Sequence, residues 1–131
     1  MLTFSQMFLR LTIALILGAL LGLERELVGK EAGGRTEMLV AGGAAIFAMI
    51  GIALPYITAT PSGAIPDMAA QNSALGIIAS VVSGIGFLGA GLIIKTESRA
   101  RGITTAALVW TTAAIGILAG IGMVEFAAVS A

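Results

Sequence analysis

The chain of 131 residues contains neither cysteine nor histidine. Their absence removes disulfides, thiol chemistry, haem, ordinary zinc sites and the Ser-His-Asp and Cys-His triads. Charge is scarce as well. Seven Lys and Arg balance seven Asp and Glu, and only 11% of residues are charged, where a soluble domain has about a quarter. A basic nucleic-acid surface is therefore excluded. Aromatic residues make up 5% of the chain. What is abundant is apolar side chain and glycine: 58% of residues are hydrophobic, 18 are Gly, and the mean hydropathy is +1.06. Such a composition excludes disorder. It also leaves too little polar surface to cover a core, so part of the solvent must be lipid. A glycine-rich, aromatic-poor chain suits helices packed backbone to backbone.

The few charges are clustered. Seven lie between Glu24 and Glu37 and four between Lys95 and Arg101, while Arg10, Asp67 and Glu125 stand alone. A helix needs about 20 apolar residues to cross the hydrocarbon. Uncharged stretches of that length predict spans at 38–57, 73–94 and 103–124. A fourth, at 4–23, includes Arg10. That first run leads directly into Leu23-Glu24-Arg25-Glu26, so it reads as a span and not as a cleaved signal. The prediction is an all-α membrane protein, a single transmembrane domain over 1–131. Lys and Arg occupy the loops at 24–37 and 95–102 and are missing from the loop at 58–72. Both basic loops are thus expected in the cytoplasm and both termini outside. All three prolines, Pro55, Pro61 and Pro66, are expected in an irregular outer loop, with Tyr56 at the interface.

Shifted by 69 residues, the chain matches itself. Residues 20–54 against 89–123 give eleven identities in thirty-five pairs without a gap. Gly22 meets Gly91, Gly33 meets Gly102, and Thr36 meets Thr105. Two parallel two-helix repeats about an axis along the membrane normal would produce this pattern.

Spans two and four both open on Arg, Gly and Thr: Gly33-Gly34-Arg35-Thr36, and Arg101-Gly102 followed by Thr104 and Thr105. Helix N-termini offer free N–H groups and partial positive charge. The pair could attract a phosphate or one of the protein's own carboxylates, or simply be capped. Glu24 sits at the unfavourable C-terminal end of span one, so it should bond to Arg25, Arg35 or Arg101. A cation site drawing on Glu24, Glu26 and Glu37 is the alternative, since Mg²⁺ prefers oxygen ligands and keeps several waters. Arg10 is the one charge within a span. It either snorkels outward or pairs with Asp67 or Glu125. Hydroxyls at Ser80, Ser83, Thr111 and Thr112 should bond to backbone carbonyls or neighbouring helices, and Trp110 should pack. Gly18 and Gly22, then Gly84, Gly86, Gly89 and Gly91, then Gly116 and Gly120 are spaced to let helix backbones touch. No nucleophile, base and orienter stand together, so no enzyme is expected.

Several of these runs, in this order, resemble the MgtC/SapB family of bacterial membrane proteins. They are Gly22-Leu23-Glu24-Arg25-Glu26, then Ala32-Gly33-Gly34-Arg35-Thr36 with Leu39-Val40. Gly84-Ile85-Gly86-Phe87-Leu88-Gly89-Ala90-Gly91 follows, and then Arg101-Gly102-Ile103-Thr104-Thr105-Ala106-Ala107 with Trp110. Where the family often has His after the Arg-Thr pair, this chain has Glu37. Many members continue into a fifth span, and some add a soluble domain, so a chain stopping at Ala131 reads as a minimal or a truncated member. The resemblance implies a multi-pass protein of the bacterial inner membrane, linked to growth when magnesium is scarce. It leaves two readings open: an ion or small-solute transporter, or a regulatory subunit that binds another membrane protein. The partners it implies are the bilayer, further copies of the chain and, on the second reading, that other protein. No cofactor beyond Mg²⁺ follows.

Overall fold

The computed structural model describes residues 2–58, 68–96 and 98–131, with backbone alone for 58, 68–71, 73 and 74. Among these residues the fold is all-α apart from one small hairpin. In chain order it runs α1 (Phe4–Leu27), α2 (Gly34–Thr58), α3 (Met68–Leu92), β1 (Ile94–Lys95), β2 (Ala100–Arg101), α4 (Ile103–Ile121) and α5 (Val124–Ser130). The first four helices are long and apolar enough to cross a membrane. β1 and β2 pair antiparallel, Ile94 opposite Arg101, and close the turn between α3 and α4.

Helix boundaries differ from the apolar runs because hydrogen bonding does not stop where hydropathy does. α1 continues through Glu24-Arg25-Glu26 to Leu27, and α2 already begins at Gly34, so the basic loop expected at 24–37 shrinks to a short connection. At the other end α2 carries Pro55 within its last turns. Pro55 is therefore helical and buried, not part of a loop. Pro61, Pro66 and Asp67 lie outside the described residues. α3 starts within the expected loop, at Met68.

α4 ends sooner than the sequence suggests. Gly122 takes φ +98, its N–H bonds to the Ala119 carbonyl, and the Met123 N–H reaches back to Leu118. This left-handed closure is open to glycine at little cost and stops the helix. The chain then turns into α5, which buries Ala127 against the bundle.

Small side chains make the core. Ala14 and Leu17 of α1, Ala41 and Ala45 of α2, Ile115 and Ala119 of α4, and Ala127 of α5 form one cluster. With little bulk between them, these helices approach until backbones touch. A side-chain carbon at Gly18 would lie 2.5 Å from the Glu37 carbonyl oxygen, and one at Gly22 would lie 2.5 Å from Gly34 Cα. At Gly116 it would collide with the Ala41 carbonyl, and at Gly120 it would fall 2.6 Å from that of Ala45. Close approach of this kind replaces bulky hydrophobic filling in lipid, where dispersion and packing drive helix association.

α3 packs on α2 and α4 as well, but without this close backbone approach at its glycines. A β-carbon at Gly84, Gly86 or Gly91 would have nothing within 4 Å, and one at Gly89 would make only an ordinary 3.6 Å contact with Ala106. The expected close packing of the α3 glycines is therefore not formed within the described residues. Phe87 is 81% exposed on this helix.

Candidate functional site

The polar chemistry gathers at the end of the bundle that carries the α1–α2 connection and the hairpin, here the basic end. On α1 the buried positions Ala14, Leu17, Gly18 and Gly22 recur at helical spacing. Arg25 continues that stripe by one turn and so points inward, while Glu24 falls off it and is exposed. Arg25 Nη2 donates to Thr105 Oγ1 of α4 at 2.7 Å. The predicted bond from Glu24 to Arg25, Arg35 or Arg101 is thus not made among the described residues. The 3.6-residue period puts neighbours in sequence on different faces.

Glu26 has another task. Its Oε2 accepts from the Gly34 N–H at 3.1 Å, so a carboxylate from α1 caps the N-terminus of α2. Of the fillers open for that end, one of the protein's own carboxylates occupies it, favoured by the helix dipole. At the start of α4, Gly102 adopts φ +85 with no side-chain cap, and a β-carbon there would strike the Leu92 carbonyl. Between these elements lies a cavity of about 570 Å³ whose lining includes Arg25, Lys30, Glu31, Arg101, Thr104 and Thr105. Arg35 and Thr36 do not join it. Both are exposed, and Thr36 borders an apolar groove of about 1000 Å³ between α2 and α3.

Behind the Arg25–Thr105 bond lies Glu37, on the first turn of α2. It is 0% exposed. Its polar neighbours are the hydroxyl of Thr112 from α4 and the guanidinium of Arg25, yet both carboxylate oxygens lack a hydrogen-bond partner. Thr112 Oγ1 and Arg25 Nε are likewise buried and unpartnered. The cation site expected from Glu24, Glu26 and Glu37 is not assembled, since one is exposed, one caps α2 and one is sealed inside. Among the described residues no group of three such ligands forms.

The sequence reading missed how deep Glu37 and Thr112 lie. A signal was present for Glu37: it precedes Ala41, Ala45 and Ala48 at four-, four- and three-residue steps, the face that α2 buries. Thr112 was expected to bond to a backbone carbonyl or a neighbouring helix; its hydroxyl faces Glu37 of α2, without a well-formed bond and without the backbone bond that Ser80 makes to Gly76 and Thr111 to Ala107. Trp110 borders a small cavity shared with Val82 and Ile85 of α3 and remains half exposed.

At the opposite end, Arg10 Nη1 donates to the Gly120 carbonyl at 2.9 Å. The intramembrane charge therefore neither snorkels freely nor pairs with Glu125, which is exposed. Asp67 lies outside the described residues. Arg10 meets the C-terminal carbonyls of α4, where a cation is favoured by the helix dipole.

Comparison with known proteins fits this layout. No solved structure matches the chain. Protein MgtC of Brucella abortus is 42% identical over 117 residues, which is 89% of this chain and 43% of that protein. Protein MgtC of Salmonella typhimurium is 44% identical over 114 residues, 87% of this chain and 43% of that one. The chain thus spans less than half the length of the curated relatives it matches. The model of the MgtC family matches residues 11–131, which takes in the Arg25–Thr105 bond, the sealed Glu37 and all but the first turns of α1. With four membrane-spanning helices and a match over nearly its whole length, the chain belongs to the MgtC family.

Proposed function

We propose that this membrane protein serves adaptation to scarce magnesium in the bacterial inner membrane, its basic end in the cytoplasm, as a regulatory subunit that docks another membrane protein. It works without catalysis and without a magnesium path of its own. The observation that carries this reading is the position of α3. Its glycines Gly84, Gly86 and Gly91 face open space, beside a wide apolar groove against α2. In lipid, small residues on a helix face let a second helix come close. The ligand chemistry supports the same choice. Mg²⁺ takes six oxygens in near-ideal octahedral geometry and gives up water reluctantly. The one buried carboxylate among the described residues, Glu37, instead has a guanidinium beside it.

Two measurements test the proposal together. Reconstituted into vesicles with a trapped dye, the folded protein should pass no Mg²⁺ above the level of empty vesicles. In a bacterium lacking its own family member, the wild-type chain should restore growth at low magnesium, and Gly84→Leu should not, although it folds. Flux that disappears in Glu37→Gln would make the chain a transporter. Full growth with Gly84→Leu would remove α3 as the docking face.

A further inference from the structure

Three helices bring one acid, one hydroxyl and one guanidinium to a single enclosed place. Glu37 comes from α2, Thr112 from α4 and Arg25 from α1. Glu37 and Thr112 are both 0% exposed. The Glu37 carboxylate faces the Thr112 hydroxyl and the Arg25 guanidinium, but no well-formed hydrogen bond is made at either carboxylate oxygen, at Thr112 Oγ1 or at Arg25 Nε. The other side of Arg25 is taken, because Nη2 is bonded to Thr105. An ionised carboxylate left this way, buried and without a hydrogen bond, is among the costliest arrangements a protein interior can hold.

The surroundings limit what can relieve it. α1 passes so close that a β-carbon at Gly18 would lie 2.5 Å from the Glu37 carbonyl oxygen and 2.9 Å from Ala41 Cβ. Glu37 is 0% exposed, which leaves an organic ligand or a hydrated divalent ion no approach, and the guanidinium repels a second full positive charge. The smallest cation meets neither obstacle. A proton on one carboxylate oxygen turns it into a donor, and Thr112 Oγ1 is an acceptor without a partner. No other charged side chain competes from the helices packed around it. On α1, Glu26 is committed to the Gly34 N–H and Glu24 is exposed. On α2 itself Arg35 is exposed. The sequence has no charged residue from 68 to 92 in α3 or from 103 to 121 in α4.

We propose that Glu37 is a proton-binding site, and that its proton exchanges with water at the basic end past a latch formed by Arg25 and Thr105. This goes beyond the docking role and does not depend on it. The proton arrives from water in the 570 Å³ cavity, of which Arg25 and Thr105 are wall residues. It forms the O–H bond on Glu37 and leaves by breaking that bond. In the proton-bound state Arg25 stays on Thr105, as observed. In the proton-free state the Arg25 guanidinium turns to the carboxylate and neutralises it. Access from the opposite end is shut where α2 and α4 touch, Ala41 against Gly116 and Ala45 against Gly120.

Infrared spectroscopy of the full chain in lipid nanodiscs tests this, with deuterium oxide as the probe. The wild-type protein at neutral pH should show the carbonyl stretch of a protonated carboxyl group. Glu37→Gln should remove that band. Thr112→Val, which keeps the shape and deletes the acceptor, should move it to higher frequency. Thr105→Val should hasten its deuterium shift by about fivefold, the worth of one interhelical hydrogen bond in lipid. A wild-type spectrum with no protonated-carboxyl band sensitive to Glu37→Gln or Thr112→Val overturns the site, and an unchanged exchange rate in Thr105→Val overturns the route. The Thr112 and Thr105 variants keep the test decisive should Glu37→Gln fail to fold.

Discussion

Gly22 and Gly91 occupy matching positions when the chain is shifted by 69 residues, and both lie near the basic end of their helices. Gly22 is pressed against Gly34, whereas Gly91 faces nothing within 4 Å. The same contrast separates the whole trio α1–α2–α4 from α3. All four helices are apolar and glycine-containing, so composition does not explain it. The difference lies in what stands opposite. Gly116 and Gly120 of α4 meet Ala41 and Ala45 of α2, a small residue against a small residue, so both backbones can approach. A glycine without such a counterpart gains no contact. Glycine spacing thus marks a helix face that can accept a neighbour, and the opposing helix decides whether one is there.

The largest effect should come from filling the tight side and sparing the loose one. Gly116→Leu drives a side chain into the Ala41 carbonyl and should cost about 3 kcal/mol or more, toward the upper end of overpacking. Gly84→Leu should change thermal stability in detergent by about 0.5 kcal/mol or less, as for a surface site. Equal losses at the two positions would mean that α3 is packed as closely as α4, and the comparison would collapse.

Next come the two clasps that tie α1 to α4. Arg10→Met keeps the apolar stem and removes the hydrogen bond to the Gly120 carbonyl. It should cost about 2 kcal/mol, as for a bond with a charged donor. Thr105→Val, at the other end, should cost about 1 kcal/mol, the scale of interhelical hydrogen bonds in lipid. Denaturant midpoints in one detergent would rank them, and the reverse order would mean that the Arg25–Thr105 bond carries more of the bundle than Arg10 does.

Four spans were legible in the sequence because lipid imposes length and apolarity on a helix directly. Helix ends were less so. Glu24-Arg25-Glu26 breaks the hydropathy of span one, but nothing in those side chains stops backbone hydrogen bonding, and α1 runs on to Leu27. The site was readable in part. Arg25 and Thr105 were both singled out, yet their pairing with each other depends on where α1 lies against α4, which one helix's period does not reveal. Glu24 was expected to bond to Arg25, Arg35 or Arg101, whereas Arg25 bonds to Thr105. The depth of Glu37 was the reading most at odds with the fold, because a charged residue after a basic loop looks solvated until the buried alanine face of α2 is traced back to it.

The smallest effect has the opposite sign. Gly84→Ala adds one methyl group where nothing stands within 4 Å, and alanine favours the helix over glycine by about 1 kcal/mol at most. In dilute detergent the variant should therefore melt at the same temperature as the wild type or slightly higher. The measurement gains its force from repetition at high protein concentration and in lipid. If the gain persists under every condition, Gly84 stays free of neighbours and α3 awaits a partner of a different kind. If the gain turns into a loss as the protein is concentrated, a second copy has come to rest on α3, and the methyl group has been placed in its way.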